Sequence, residues 1–409
     1  MSTITATAPP VIQSPFTEKN KAFRIGSIDF LRGLVMVIMA LDHSRDFLHD
    51  AAWTDDPLNL ATTTPFLFFT RWITHFCAPV FVFLAGSSIY FQSLRKTKKD
   101  LSLFLVKRGL WLIFIEVAVI NLAFSFDFTY SLVGLQTIWS IGISMVFMGA
   151  LTWLPYKLIL SVGLLIVLGH NSLDFYEANH KGPFDFIYSL VHRPGLYPVD
   201  KTHGLLVLYP FLSWVGLMMM GFCFGKLFMN YDGAARRQML LRLGIGVIAF
   251  FILLRAFDVY GDPGRWEDQS SLLYTFFDFI DVQKYPPSLL YTCATIGPAL
   301  LFLAAAEGAK NKLSQIITVY GRVPFLYYVL HFFLLHIIAT IIFFATGHTL
   351  ATAENSSDGL TPMFVIPGQG YSLWVVYAVW IGAVAMLYPV CKWFSNYKQT
   401  HKQWWLSYL

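Results

Sequence analysis

Charge is what this chain has least of. Only 13% of its 409 residues are Asp, Glu, Lys or Arg, while 56% are hydrophobic; soluble domains carry about 25% charged residues. That deficit excludes a water-soluble fold. A formal net charge of only +5 gives no basic footprint, so no nucleic-acid partner is expected. Cysteine is scarce too, with four residues. Cys77, Cys223, Cys293 and Cys391 sit in or beside apolar segments and none belongs to a CxxC pair, so neither a disulfide framework nor a zinc site is supported. HExxH, P-loop and GxSxG motifs are absent, which removes the common metal, nucleotide and serine-hydrolase readings; no metal is expected. No small-residue cleavage site follows an apolar h-region, so the first span is expected to be retained.

What the chain does have is long apolar runs. They predict an all-α polytopic membrane protein of about ten transmembrane helices, at about 28–48, 67–93, 101–124, 137–154, 157–169, 205–229, 239–257, 287–306, 315–345 and 371–395. Residues 1–27, rich in Thr, Ala, Pro and Ser, read as a disordered tail. Residues 28–395 then form the membrane domain and 396–409 a C-terminal tail. With ten spans, the Lys/Arg groups Arg95–Lys99, Lys157, Lys226–Arg237 and Lys310–Lys312 fall on one side with those of both termini, and the loops on the other side are poor in Lys/Arg or rich in acid. The acidic loops, with Asp50, Asp127, Asp258 and Asp358, fall on the other. The positive-inside rule therefore makes both termini cytoplasmic. The long loops 170–204, 258–286 and 346–370, which carry His180, His192, His203 and Trp266, lie outside.

The first span carries the chemistry. Asp29 and Arg32 precede an apolar run from Gly33 to Leu41, and Asp42, His43, Arg45, Asp46 and His49 follow it. A charge at the bilayer centre costs roughly 2.5–3.5 kcal/mol on insertion scales, so ionisable groups in a span are functional suspects. Helical spacing puts Asp42, Arg45/Asp46 and His49 along one face. Imidazoles beside carboxylates suit proton transfer near neutral pH. His75 in the second span lies on the same outer side. Asp29 and Arg32, as i,i+3 partners, read equally as a structural ion pair or, with Lys107 and Arg108, as a phosphate-binding group. His331 and His336 are five apart, so they do not share a face and at least one is structural. Glu116 and Asn121 are further polar groups within the third span. Lys284-Tyr285 before Pro286-Pro287 reads as a contact for an anionic or sugar substrate, or as an interfacial anchor.

Three stretches resemble a known family. Ser27-Ile28-Asp29-Phe30-Leu31-Arg32-Gly33 is like its opening D-x-x-R-G, His49-Asp50-Ala51-Ala52-Trp53 like its active-site His followed by Trp, and Pro79–Ile89 like its F-V-F-x-x-G-S-S-I. The chain thus resembles the heparan-α-glucosaminide N-acetyltransferase catalytic-domain family of bacterial membrane proteins, over about residues 25–110. Tyr327-Tyr328-Val329-Leu330-His331 is a weaker match. The resemblance implies a transmembrane acyltransferase of the bacterial inner membrane. It would use cytoplasmic acetyl-CoA as co-substrate and acetylate a sugar or glycan on the far side. The family's catalytic His corresponds to His49, and a family Asn to Asp42, where this sequence departs.

These readings combine into one expectation. His49 acts as general base or acyl carrier and Asp42 orients it, with His43, His75 and His331 as further catalytic candidates. Asp29, Arg32, Lys107 and Arg108 hold the CoA phosphates, and Trp53, Lys284 and Tyr285 contact the acceptor. The partners are the bilayer, acyl-CoA and the acceptor, with a second copy of the chain possible. The competing expectation is a proton-coupled transporter or exporter of a solute or lipid-linked glycan that uses the same His/Asp set; a weaker third is a membrane assembly factor.

Overall fold

The computed structural model describes residues 26–177, 185–356 and 360–408. Residues 1–25 of the expected tail, and His180 and Asp358 of the expected outer loops, lie outside these ranges. The described chain is mostly helical. In order come α1 (Gly26–Leu48), α2 (Pro65–Ile73), α3 (Cys77–Ser93), α4 (Lys98–Ile115), α5 (Asn121–Ser125), β1 (Leu132–Leu135), α6 (Thr137–Leu151), α7 (Tyr156–Gly169), α8 (Ser172–Glu177) and α9 (Asp185–Val191). Then follow β2 (Gly195–Pro198), β3 (Gly204–Val207), α10 (Phe211–Met229), α11 (Gly233–Phe257), α12 (Leu272–Ile280), α13 (Leu289–Ala306), α14 (Lys312–Arg322), α15 (Pro324–Ala345), α16 (Leu350–Ser356) and α17 (Leu373–Thr400).

Helix occupies each of the ten apolar segments. Six stretches are long and apolar enough to cross a membrane: Pro65–Ser93, Phe211–Met229, Gly233–Phe257, Leu289–Ala306, Pro324–Ala345 and Leu373–Thr400. The protein is integral to the membrane. α6 and α7 are apolar but shorter, and α1 and α4 carry charges near their ends.

Three features depart from the sequence expectation. A small sheet of order β1-β3-β2 is present, with β3 parallel to β1 and antiparallel to β2, so the fold is not purely helical. β3 occupies the start of the apolar segment expected from 205. Short apolar runs do not distinguish strand from helix, and here Pro210 stands before the first helical residue, Phe211. The run 315–345 is two helices, divided at Val323 ahead of Pro324, a residue suited to a helix start. The third segment contains a π-turn, Glu116–Ile120, between α4 and α5.

Glycine sets the closest helix contacts. α1 packs on α14, α3 on α10, α4 on α6 and α11 on α13. At each crossing a glycine abuts the neighbour's backbone. A Cβ on Gly33 would lie 2.0 Å from the Ile317 carbonyl oxygen, and one on Gly86 2.0 Å from that of Met218. Gly109 and Gly142 meet each other, and Gly244 meets the Gly297 carbonyl. Association inside a bilayer rests on such close packing.

Candidate functional site

The last turns of α1 build the site. Asp42 and Arg45 are i,i+3 neighbours, as are His43 and Asp46, so one helix face carries two carboxylates, a guanidinium and an imidazole. Arg45 Nη2 donates to Asp42 Oδ1 (3.1 Å) and to Asp46 Oδ1 (2.6 Å). His43 Nδ1 lies 3.2 Å from Asp46 Oδ2. With the Nδ1 proton donated to that carboxylate, Nε2 is the basic nitrogen.

α2 supplies the second cation. Thr64 caps it, its side chain accepting from the Leu67 N–H, and Pro65 opens the first turn. The helix then presents Arg71, whose Nη1 donates to Asp42 Oδ2 at 2.6 Å. Asp42, Arg45, Asp46 and Arg71 are thus mutually paired, as buried charges must be.

α2 passes through a 3₁₀ turn, Thr74–Phe76, into α3. Pro79 has no N–H to offer the carbonyl of His75 four residues back; that carbonyl accepts the Tyr291 hydroxyl at 2.8 Å instead. Pro79 thereby ties α2–α3 to α13.

These groups border a cavity of about 300 Å³. Asp42, His43, Arg45, Asp46 and Arg71 form its polar side together with Lys284 and Tyr285. Phe81, Phe124, Tyr328 and the sheet residues Leu132 and Leu206 form its apolar side. Trp53 stands at its edge, in the left-handed region (φ 67°) that a tryptophan seldom adopts. Its Nε1 donates to the Asp46 carbonyl at 2.8 Å, which folds the chain back over the end of α1.

A second polar cavity, about 330 Å³, shares the wall Arg71–Lys284–Tyr285 and is otherwise lined by His75, Asp56, Asp281 and Gln283 among others. The loop carrying Lys284 and Tyr285 is held by fully buried Arg255, which donates to the carbonyls of Gly264, Asp278, Phe279 and Asp281 at 2.6–3.0 Å. Burial, with Asp56, Asp262 and Asp278 around it, raises the Asp281 carboxyl to about 7. A carboxyl raised in this way weakens the fold as pH climbs from about 4, the unfolded value, to 7, because the native state holds the proton longer. The Asp281→Asn variant should therefore melt higher than the parent at pH 8. The gain should vanish near pH 4; a gain equal at both values would dismiss the carboxyl's ionisation as its cause.

The sequence candidates divide between several places. Asp42, His43, Trp53, Lys284 and Tyr285 converge on the first cavity, at the end of α1. His49 does not. It lines a separate cavity of about 40 Å³ with Phe343, Gly370 and Tyr371, and its Nδ1 accepts the Ala51 N–H at 3.2 Å. Burial and the nearby Arg45 lower its pKa, against Asp50. His331 is fully buried behind His43, with ring centroids 5.2 Å apart, and its Nδ1 lies 3.2 Å from the Tyr327 carbonyl. His336 is wedged between the carbonyls of Ala123 and Met363, a structural role.

At the far end of α1, Arg32 pairs with Asp29 at 3.1 Å and also reaches the Gly321 carbonyl and Ser88 Oγ. Arg108 lies close enough to feel the charge of Arg32 and donates to the Ser407 carbonyl. Lys107 is exposed. Sequence reasoning missed Arg71, although an arginine in an apolar helix is itself a signal.

Comparison with curated proteins finds no match. A family model described as "Heparan-alpha-glucosaminide N-acetyltransferase, catalytic" matches residues 24–253. The matched stretch carries Asp42, His43, Asp46 and Arg71, while Lys284, Tyr285 and His331 lie beyond it. It spans more than half of the chain, which therefore belongs to the heparan-alpha-glucosaminide N-acetyltransferase catalytic-domain family.

Proposed function

We propose that this protein is a multi-pass acyltransferase that moves an acetyl group from acetyl-CoA on the cytoplasmic side to a sugar or glycan on the other, with ten spans and both termini cytoplasmic. The observation that carries the reading is the His43–Asp46 pair on the wall of the cavity at the end of α1. Cavities that hold small molecules run from about 300 to 1,000 Å³, and the cavity beside His43, at about 300 Å³, reaches that range. The cavity beside His49, at about 40 Å³, has room only for a few waters.

In this reading Asp46 fixes the tautomer of His43, and Nε2 removes the proton from the acceptor hydroxyl or amine. Arg71 and Lys284 border the same cavity, where positive charge favours the oxygen that turns negative as the thioester is attacked. Arg32 and Arg108 are the guanidiniums suited to the CoA phosphates. Arg32 precedes His43 by eleven residues, about 16 Å of helix axis and three full turns plus about 20°, so the two lie on almost the same face of α1.

The family resemblance favours His49 as the base; the cavity favours His43. In proteoliposomes supplied with acetyl-CoA, His43→Ala should lower release of free CoA thiol by about 10²–10⁴-fold, the usual worth of a general base, while His49→Ala should retain most of it. The reverse ranking would return the role to His49. Solute flux driven by a pH gradient, with no thiol released by the unaltered protein, would favour the transporter reading instead.

A further inference from the structure

The wall between the two polar cavities holds a group with no part in the proposal above. Tyr285 borders both cavities, flanked by Arg71 and Lys284. Its ring stands edge-on to that of buried Tyr209, with centroids 5.2 Å apart, and Lys284 Nζ lies 5.2 Å from its own ring centroid. Tyr209 also lines the cavity beside His43. Tyr285 and His43 therefore face one space from different elements, His43 from α1 and Tyr285 from the loop before α13. Between them runs a string of ion pairs, from Arg71 to Asp42 (2.6 Å), Arg45 (3.1 Å), Asp46 (2.6 Å) and His43 (3.2 Å). Burial works to raise the Tyr285 phenol. The Lys284 and Arg71 charges, with a hydrogen bond to Tyr209, outweigh it and hold the group below the ordinary tyrosine value.

Thioester transfer needs two proton movements. One removes a proton from the acceptor. The other neutralises the departing thiolate. The acyltransferase reading gives His43 the first and leaves the second without a donor. We propose that Tyr285 is the general acid of this reaction, giving its phenolic proton to the leaving sulfur.

The step balances. The acceptor oxygen or nitrogen forms its bond to the acetyl carbonyl carbon while its proton passes to His43 Nε2. The C–S bond breaks, its electron pair goes to sulfur, and sulfur takes the proton from Tyr285. The products are the acetyl ester or amide and free thiol. Tyr285 is left as a phenolate beside Lys284 and Arg71, and His43 as an imidazolium beside Asp46. Return of one proton from imidazolium to phenolate through solvent resets both. Lowering the phenol from its ordinary value moves it toward that of a thiol, near 8.5, the direction that favours general-acid transfer.

The role depends on the acyltransferase reading, and leaving-group chemistry separates the two. A thiol that leaves easily needs no acid. Tyr285→Phe should lower turnover of acetyl-CoA by about 10²-fold and leave that of 4-nitrothiophenyl acetate nearly unchanged, with the variant eluting and melting like the parent. In the unaltered protein the rate with acetyl-CoA should fall at alkaline pH as the phenol ionises, and that fall should be missing with the aryl thioester. This second measurement holds even where the variant does not fold. Equal losses with both thioesters, or equal alkaline falls, would overturn the acid role while leaving the acyltransferase reading intact. No turnover of either thioester by the unaltered protein would overturn both.

Discussion

The Asp42→Asn substitution should destabilise the protein by about 3–5 kcal/mol, the cost of breaking a buried ion pair from one side, and should abolish activity. Asp42 is 7% exposed and bridges the two guanidiniums, taking Arg71 on one oxygen at 2.6 Å and Arg45 on the other at 3.1 Å. An amide of the same shape offers one acceptor oxygen and no charge. Arg45 retains Asp46 at 2.6 Å, so the greater loss falls on Arg71, in a medium that screens poorly. This asymmetry gives a second measurement. The double variant Asp42→Asn/Arg71→Met removes both ends of the broken pair. It should melt above the sum of the single losses, with a coupling of about 0.5–3 kcal/mol. Thermal unfolding in detergent reads both effects. Strict additivity would mean that Asp42 and Arg71 do not depend on each other, and the account of a closed charge cluster would fail.

Gly221→Ala should be nearly as damaging, for a reason unrelated to charge. A Cβ at position 221 would lie 2.0 Å from the Phe83 carbonyl oxygen and 2.8 Å from its carbon. Both atoms belong to the backbone of α3, so no rotamer change relieves the clash. On the opposing helix, Gly86 meets the Met218 carbonyl in the same way, so α3 and α10 would have to separate along their crossing. Overpacking usually costs about 1–3 kcal/mol and sometimes more; an obstacle made of backbone belongs at the upper end. Gly246→Ala is the matched control. Nothing lies within 4 Å of a Cβ there, the position is mid-α11 and exposed, and exchanging Gly for Ala in a helix gains up to about 1 kcal/mol. Size-exclusion profiles and melting temperatures should thus move in opposite directions for the two variants. A Gly221→Ala protein that elutes and melts like the parent would show that the α3–α10 contact is looser than drawn.

Much of the fold was legible because membrane insertion is a property of composition. Scarce charge and apolar runs of span length force backbone groups to bond within their own segment, so helix follows without tertiary information. The family was legible for a different reason: D-x-x-R-G and F-V-F-x-x-G-S-S-I are local patterns. The sheet was not legible, since β1, β2 and β3 have only four residues each and pair across long stretches of chain. Nor was the break at Val323, where an apolar run continues in sequence while the helix ends.

The site divides along the same line. Asp42, Arg45 and Asp46 were placed together by helical spacing alone, with His43 at the same end of α1, because i,i+3 and i,i+4 neighbours meet whatever surrounds them. Arg71 comes from another helix, and Lys284 and Tyr285 from a loop more than two hundred residues further on. Their meeting with α1 depends on the α2–α3 turn, on Tyr291 bonding the His75 carbonyl and on the Arg255 clamp. His49 shows the reverse. Its spacing matches the Asp42 face, but α1 ends at Leu48, and the next residue pairs with Tyr371 and lines another cavity. The sequence by itself therefore determined that the chain enters a membrane, that it is helical and which residues neighbour one another along α1, since these depend on composition and on contacts within one turn. Only the tertiary structure decided which imidazole shares a cavity with Arg71, Lys284 and Tyr285, because that choice lies in how separate helices and a distant loop pack against each other.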